Sequence, residues 1–176
     1  MKKIILILLS AIITTASIAQ SGNADDQAIQ KIVTTMETGW AQKSGEVFSS
    51  VFADVHDYIV WNGYYFPGMS RKANAAGHQD LFSGVYRTYD VKFKIDKIRF
   101  VRTDLALAHV YGGGYEKGQA VPENPTVLMT MLLEKKDGNW KIISFHNLDL
   151  EAFENKATAD RSPMPLNVMY AGWYKK

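Results

Sequence analysis

The chain contains no cysteine among its 176 residues. This absence excludes a disulfide framework and a lipid anchor attached through a cysteine. Long apolar runs are missing as well. The run at residues 4–13 falls short of the roughly 20 apolar residues that a membrane-spanning helix needs. The length and the 47% hydrophobic content instead indicate one globular domain with a sizeable core.

The first residues have the pattern of a secretory signal peptide. Lys2 and Lys3 precede the apolar run at residues 4–13, and a small-residue pattern follows that ends at Ala19. This order predicts that residues 1–19 are a leader, cleaved after Ala19, and that the protein is periplasmic or secreted. A membrane anchor is the alternative, and the short run disfavours it.

The expected mature chain has no net charge. The full sequence has 20 Lys+Arg and 18 Asp+Glu, a formal charge of +2. Lys2 and Lys3 are removed with the leader and no acid is, which leaves 18 basic against 18 acidic residues. Because no basic cluster remains, we expect no nucleic acid partner, and no membrane partner after cleavage.

Helical spacing predicts three helices before the main sheet. Asp25 and Asp26 are expected to cap the first, whose apolar stripe covers residues 29–40. Lys43-Ser44-Gly45 ends that stripe, and a short second helix over residues 47–52 follows. A third helix is predicted from Ser70 onward, and His78 and Phe82 lie on its apolar face.

Turn signals place two hairpins. Asn62-Gly63 is the strongest short hairpin signal and joins two short aromatic strands. Asp137-Gly138 joins a strand at residues 126–136 to one at residues 139–147, which ends in His146 and Asn147. His56 is expected to be exposed in a loop.

Two further strands lie between these two hairpins in the sequence. Residues 91–102 alternate between polar and apolar and change phase near Asp96-Lys97, which predicts a β-bulge that bends the sheet. Residues 105–111 form the next strand, and Gly112-Gly113-Gly114 is expected to end it.

Apolar residues occur on both faces of the strand at residues 126–136: Val127, Met129, Met131 and Leu133 on one, Leu128 and Leu132 on the other. Three helices of a small domain can hardly cover both faces. We therefore predict a homodimer held through the outer face of the sheet. The domain is expected to span residues 20–148, and residues 149–176 to pack as an extension along the body or the dimer partner.

The order and spacing of several short motifs carry a family resemblance over residues 25–148. They are Trp40, Phe52-Ala53-Asp54, Asn62-Gly63, His78 with Phe82, Ala106 with Ala108, Trp140-Lys141-Ile142 and Phe145-His146-Asn147. The chain resembles the nuclear-transport-factor-2-like superfamily, and within it the SnoaL-like, SgcJ/EcaC-type proteins. The resemblance implies an α+β, cone-shaped fold with N-terminal helices packed on a bent antiparallel sheet that encloses a pocket.

The same fold includes the ketosteroid isomerases, which use a pocket carboxylate as a proton base. Asp96 is the only acid within residues 91–102, and it lies between Lys94 and Lys97 on the face opposite Val91 and Phe93. A solvated Asp96 fits this position, so isomerase chemistry does not follow from the fold.

Histidines are the candidate catalytic groups. His78 and His146 are candidates for proton transfer, because an imidazole exchanges protons near neutral pH. The alternatives are a core role for His78 and a plain strand end for His146 and Asn147, which point to opposite faces. His109 is expected at a dimer surface. The candidate ligand-binding residues are Trp40, Trp61, Tyr65, Phe82, Met129 and Asn147.

Three functions remain open at this point. The domain could be an enzyme acting on a small molecule, a module that binds a small apolar molecule without chemistry, or a dimeric assembly domain. The histidines are widely and irregularly spaced, so we expect neither a metal site nor a cofactor. The spacing favours neither the enzyme nor the binding module.

Overall fold

A computed structural model describes residues 8–150 and 172–175, with the backbone alone for residues 8–23. The beginning of the predicted leader and most of the predicted C-terminal extension therefore lie outside the described residues. Within the described part of the chain, no helix is long and apolar enough to cross a membrane.

The described residues form three helices and six strands. The helices are α1 (Leu8–Gln42), α2 (Gly45–Ser49) and α3 (Arg71–Ser83). The strands are β1 (Phe52–Ile59), β2 (Tyr65–Ser70), β3 (Tyr89–Arg102), β4 (Leu105–Glu116), β5 (Val127–Lys136) and β6 (Asn139–Asp149).

One sheet contains all six strands, in the order β2-β1-β6-β5-β4-β3. Neighbouring strands are antiparallel except β1 and β6, which pair in parallel. The sheet is therefore mixed. The α+β architecture with helices on one face of a bent sheet is confirmed.

The first helix begins earlier than its predicted cap. Asp25 and Asp26 lie inside α1, so the expectation that they cap the helix is wrong. The Asp25 carboxylate instead accepts hydrogen bonds from Lys135 Nζ at 2.7 Å and Trp140 Nε1 at 2.9 Å. These bonds attach α1 to the β5–β6 hairpin.

The predicted break after α1 is present. Lys43 has a φ of 55°, and the Ser44 side chain accepts a hydrogen bond from Val47 N, which caps α2. Gly45 then touches α3 so closely that a Cβ there would lie 2.1 Å from Ala75 O. A glycine at this position allows the two helices to pack.

The predicted turns and bulge are confirmed. Asp137 and Gly138 both have positive φ, 51° and 78°, as a two-residue hairpin turn requires. The register of β3 against β4 shifts between Ile95 and Lys97. This bulge lies where the sequence pattern changes phase.

The three consecutive glycines do not end their strand. β4 continues through them to Glu116. A Cβ at Gly112 would lie 2.7 Å from Val127 Cγ2 and 3.0 Å from Phe93 Cδ1. The prediction failed because the glycine here permits close packing inside the sheet rather than a turn.

The core lies between the helices and the inner face of the sheet. Ile29 and Met36 of α1 pack there with Met131, Leu133 and Phe145 of the sheet, each at most 2% exposed. On the other face, Leu107 pairs with Leu132 and Tyr111 with Leu128, and these side chains are partly exposed. Trp173 packs near Tyr111, with ring centroids 6.4 Å apart.

Candidate functional site

A cavity of about 660 Å³ lies between the helices and the inner face of the sheet. The helices contribute Met36, Trp40, Phe48, His78 and Leu81 to its wall. The strands contribute Tyr58, Phe93, Met129, Phe145, Asn147 and Asp149. Three further aromatic residues complete the lining: Tyr86 before β3, Tyr89 at its first position, and Trp61 in the β1–β2 turn.

Aromatic rings pack on one another along this wall. Trp40 lies 5.1 Å from Tyr86, and Tyr86 lies 5.9 Å from Tyr89, measured between ring centroids. Tyr58 stacks on Phe145 at 4.8 Å. Such mutual packing fixes the ring faces, so the cavity offers a preformed, mostly apolar surface.

His78 is the polar group that α3 places in the wall. Its Nδ1–H donates to the Asn74 carbonyl oxygen one turn earlier at 3.0 Å, which leaves Nε2 as an acceptor. The hydroxyl of Tyr58 donates to Nε2 across 3.4 Å, and the imidazole stacks on Phe48 at 4.0 Å.

Both members of this contact are held in their neutral forms. Burial lowers the pKa of His78 to about 4; the Asn74 carbonyl opposes this shift, and the nearby His56 adds to it. Burial likewise raises the pKa of the Tyr58 hydroxyl far above its usual range. At neutral pH the wall therefore presents an uncharged tyrosine–histidine pair.

A second histidine, His56, is connected to the first through Asn74. Asn74 Nδ2 donates to His56 Nε2 at 2.8 Å, and His56 Nδ1–H donates to the Ala53 carbonyl oxygen at 3.0 Å. Burial lowers the pKa of His56, although the Ala53 carbonyl and Asp57 oppose the shift. His56 is only 2% exposed, so the prediction of an exposed loop residue is wrong. It ties β1 to α3.

An amide and a carboxylate from β6 add polar groups to the wall. Asn147 Oδ1 is buried and has no hydrogen-bond partner among the residues that the structure describes. Asp149 contributes a carboxylate on the same strand, two residues further on. Among the residues that the structure describes, no lysine or arginine lines the cavity.

The structure brings together most of the candidate site residues. Trp40, Trp61, His78, Met129 and Asn147 all line the cavity. Met129 and Asn147 are direct neighbours across β5 and β6 and share the inner face.

Three candidates lie elsewhere. His146 is exposed, because it alternates with the inward-facing Phe145 and Asn147, so the prediction that it belongs to the pocket is wrong. Tyr65 is 55% exposed on the edge strand β2. Phe82 is 1% exposed behind the wall, where it packs on Trp40 at 5.0 Å.

Several wall residues were not predicted. Tyr58 could have been found, since strand alternation places it on the face of Val60, which also lines the cavity. Tyr86 follows the end of α3 in an irregular connection, where no periodicity assigns a direction. Among the described residues, no group of three His, Asp or Glu side chains is arranged to hold a metal ion.

The chain was compared with known families and structures. No family model matches it, and no curated protein does. A domain of unknown function with a cystatin-like fold from Nostoc punctiforme is 30% identical, with a TM-score of 0.65; the match covers 78% of this chain and 91% of that one.

Two other solved structures are more distant in sequence. An NTF-2-like protein of unknown function from Shewanella oneidensis is 19% identical, with a TM-score of 0.59, over 71% of this chain and 99% of that one. A ketosteroid isomerase-like protein from Erwinia carotovora is 14% identical, with a TM-score of 0.54, over 70% and 95%.

These likenesses and the geometry define a class, the α+β domains with a cystatin-like fold. The chain belongs to the family of the Nostoc punctiforme domain with a cystatin-like fold, and it shares the fold of the NTF-2-like and ketosteroid isomerase-like proteins.

Proposed function

We propose that this domain binds a small, largely apolar molecule in the cavity between its helices and its sheet. The observation that carries the proposal is the preformed cavity of about 660 Å³ with aromatic walls and few polar groups. Cavities of this size and lining are typical of sites for small organic ligands. Within the nuclear-transport-factor-2-like superfamily, the sequence motifs favour the SnoaL-like, SgcJ/EcaC-type branch, which we include in the proposal.

The chemistry of His78 favours binding over base catalysis. A general base works best when its pKa lies near the working pH, whereas the pKa of His78 is lowered to about 4. Its Nε2 is also engaged by the Tyr58 hydroxyl. The pair suits a neutral hydrogen-bonding contact with a ligand.

Binding is tested with N-phenyl-1-naphthylamine, a neutral probe whose fluorescence rises in apolar surroundings. The wild-type protein should bind it saturably. Met129→Trp fills part of the cavity and should weaken binding about tenfold, a loss of about 1.4 kcal/mol. Thr130→Trp is the matched control, since its side chain points to the outer face, and should change affinity less than about twofold. Equal effects of the two variants, or no binding at all, would contradict the proposal.

An enzyme that uses the same cavity is the second candidate. The observation that favours it is the Tyr58–His78 contact, which places a hydroxyl and an imidazole in one apolar wall. His78→Gln keeps hydrogen bonding but removes the imidazole, so turnover of a bound compound should fall at least about a hundredfold. His146→Gln changes an exposed residue outside the wall and serves as the control. Unchanged turnover in His78→Gln would refute a catalytic role for this histidine.

A further inference from the structure

We propose that the ligand of this cavity is a neutral, largely apolar molecule that carries a hydroxyl group, and that Asn147 selects for this group. The inference rests on the proposed function, because it names the class of molecule that the cavity binds. Three features of the wall support it: a buried amide oxygen without a donor, neighbours that do not supply one, and an aromatic lining that favours a neutral group.

The amide oxygen is Oδ1 of Asn147, a residue of the cavity wall. It is shielded from solvent and has no hydrogen-bond partner among the residues that the structure describes. A buried carbonyl oxygen without a donor costs free energy, and a donor on the ligand would recover that cost. The last side-chain bond of an asparagine turns readily, which lets the amide face a ligand in the cavity.

The nearest neighbours of Asn147 along the sheet do not supply the missing donor. Met129 lies directly opposite it on β5, and Phe145 precedes it by two residues on the same face of β6. Neither of these side chains has a polar hydrogen. Tyr58, which pairs with Phe145 across β1 and β6, directs its hydroxyl proton to His78 Nε2. These contacts leave the amide oxygen open to a donor from the molecule that fills the cavity.

A hydroxyl is the donor that suits this wall. Trp40, Tyr86 and Tyr89 pack on one another and offer apolar ring faces to the body of a ligand. A neutral hydroxyl enters such surroundings at a much lower desolvation cost than an ion does. A ketone or an ether has only acceptors and would leave Asn147 Oδ1 unpaired, whereas a hydroxyl group donates to it.

A single polar group in an apolar cavity determines which ligands bind well. When a site forms a hydrogen bond with a ligand hydroxyl, an analogue without that hydroxyl leaves a buried polar group unpaired and binds less tightly. In a wall without such a group the order is reversed, because an unpaired hydroxyl loses its hydration and a methyl group does not. The order of a hydroxyl ligand and its methyl analogue therefore shows whether Asn147 acts on the ligand.

The test uses three neutral ligands that share a butylphenyl group and differ at the para position: 4-butylphenol, 4-butyltoluene and 4-butylanisole. The first donates and accepts hydrogen bonds, the second does neither, and the third only accepts. Their affinities are measured at pH 7 by displacement of N-phenyl-1-naphthylamine. The phenol should bind at least about tenfold more tightly than either of the other two.

Three variants locate the source of this preference. Asn147→Leu keeps the side-chain volume but removes the amide, and should reverse the order so that 4-butyltoluene binds more tightly than 4-butylphenol. Tyr58→Phe removes a different hydroxyl of the wall and should keep the order of the three ligands, whatever its effect on their common affinity. His146→Gln changes the exposed neighbour of Asn147 on β6 and is the matched control.

The outcomes separate the two proposals. If 4-butyltoluene or 4-butylanisole binds the wild type as tightly as 4-butylphenol, or if the probe binds and none of the three displaces it, the hydroxyl inference is overturned while the binding function stands. Neither result depends on the folding of a variant. The inference is also overturned if Asn147→Leu keeps the preference or if Tyr58→Phe abolishes it. If neither these ligands nor the naphthylamine probe binds, both proposals are overturned. Reversal of the order in Asn147→Leu, with the wild-type order in His146→Gln, supports the inference.

Discussion

At the scale of single residues, the protonation of His78 follows from its surroundings. The imidazole stacks on Phe48, donates to the Asn74 carbonyl oxygen and accepts from Tyr58. Each contact fits the neutral ring with its proton on Nδ1, and burial penalises the charged ring. The residue therefore contributes a fixed neutral acceptor to the cavity.

This environment predicts a loss of stability in mild acid. The pKa of His78 falls from 6.5 in the unfolded chain to about 4 in the folded one, so the unfolded state binds the extra proton. The stability is present above pH 6.5 and decreases as the pH falls toward 4. Between pH 7 and pH 4.5 the loss from this residue should be roughly 2–3 kcal/mol.

Urea unfolding of the wild type and of His78→Gln at the two pH values measures this loss. The variant should show a smaller drop in unfolding free energy between pH 7 and pH 4.5. Equal drops would show that His78 takes up its proton in the folded state as readily as in the unfolded chain.

At the scale of elements, two contacts fix the helices on the sheet and so define the cavity. Asp25 attaches α1 to the β5–β6 hairpin, and Gly45 lets α2 approach α3. Neither contact adds much apolar area. Both set the position of side chains such as Trp40, Phe48 and His78 that line the cavity.

Removing the anchor of α1 should destabilise the fold. Burial alone would raise the pKa of Asp25, but hydrogen bonds from Lys135 and Trp140 and the charge of Lys135 outweigh it, so the pKa is lowered. The stabilisation is thus present above the usual value of 3.8 and is lost as the pH falls below it. Asp25→Ala should cost about 1–3 kcal/mol at pH 7, since it leaves the Trp140 N–H unpaired. Asp26→Ala is the control in thermal unfolding, and equal losses would contradict this role.

A pair of glycine substitutions tests the packing of α2 on α3. Gly45→Ala places a methyl group 2.1 Å from Ala75 O and should destabilise the protein by more than about 2 kcal/mol. Gly77→Ala, in the middle of α3 with no atom within 4 Å of the new Cβ, should stabilise it by about 0.5–1 kcal/mol. An unchanged or higher unfolding free energy for Gly45→Ala in denaturant unfolding would show that α2 can move away from α3.

Local signals predicted the parts of the fold that local chemistry decides. Asp137-Gly138 and the phase change at Asp96-Lys97 gave the hairpin and the bulge, because both depend on adjacent residues. The parallel pairing of β1 with β6 and the continuation of β4 through Gly112 depend on residues distant in sequence, and the pattern did not reveal them.

The same division holds for the candidate site. The apolar helix face predicted His78, and strand alternation separates Asn147 from His146 once Phe145 is known to face inward. Tyr86 lies in an irregular connection, where neither alternation nor helical periodicity predicts the direction of a side chain. The direction in which its ring points is set by Trp40 and Tyr89, which tertiary packing brings to it.

At the scale of the whole molecule, the outer face of the sheet differs from an ordinary solvated surface. Leucines and Tyr111 follow one another across β4, β5 and β6, as in the row Tyr111, Leu128, Leu148. Trp173 covers one end of this face beside Tyr111 and Gly113. Most of the predicted extension lies outside the described residues. Export after cleavage at Ala19 stays a prediction.

We predict a homodimer through this outer face. Light scattering of the protein without residues 1–19 at micromolar concentration should give twice the monomer mass. Leu132→Glu places a charge in the centre of the face and should shift the protein to monomer, whereas Val101→Glu, at an exposed site near the end of β3, should not. A wild-type monomer would contradict the prediction, and coverage by the chain's own C-terminal residues would then explain the apolar face.

Binding inside the cavity is the central claim, and methionine methyl NMR tests it most directly. Of the 7 methionines in the sequence, Met36 and Met129 line the cavity, whereas Met131 is completely buried two residues further along β5 and lies outside the wall. Titration with N-phenyl-1-naphthylamine should shift the methyl signals of Met36 and Met129 together and saturably, and should shift that of Met131 much less. Saturable binding that leaves the signals of Met36 and Met129 unchanged would place the ligand elsewhere and contradict the account.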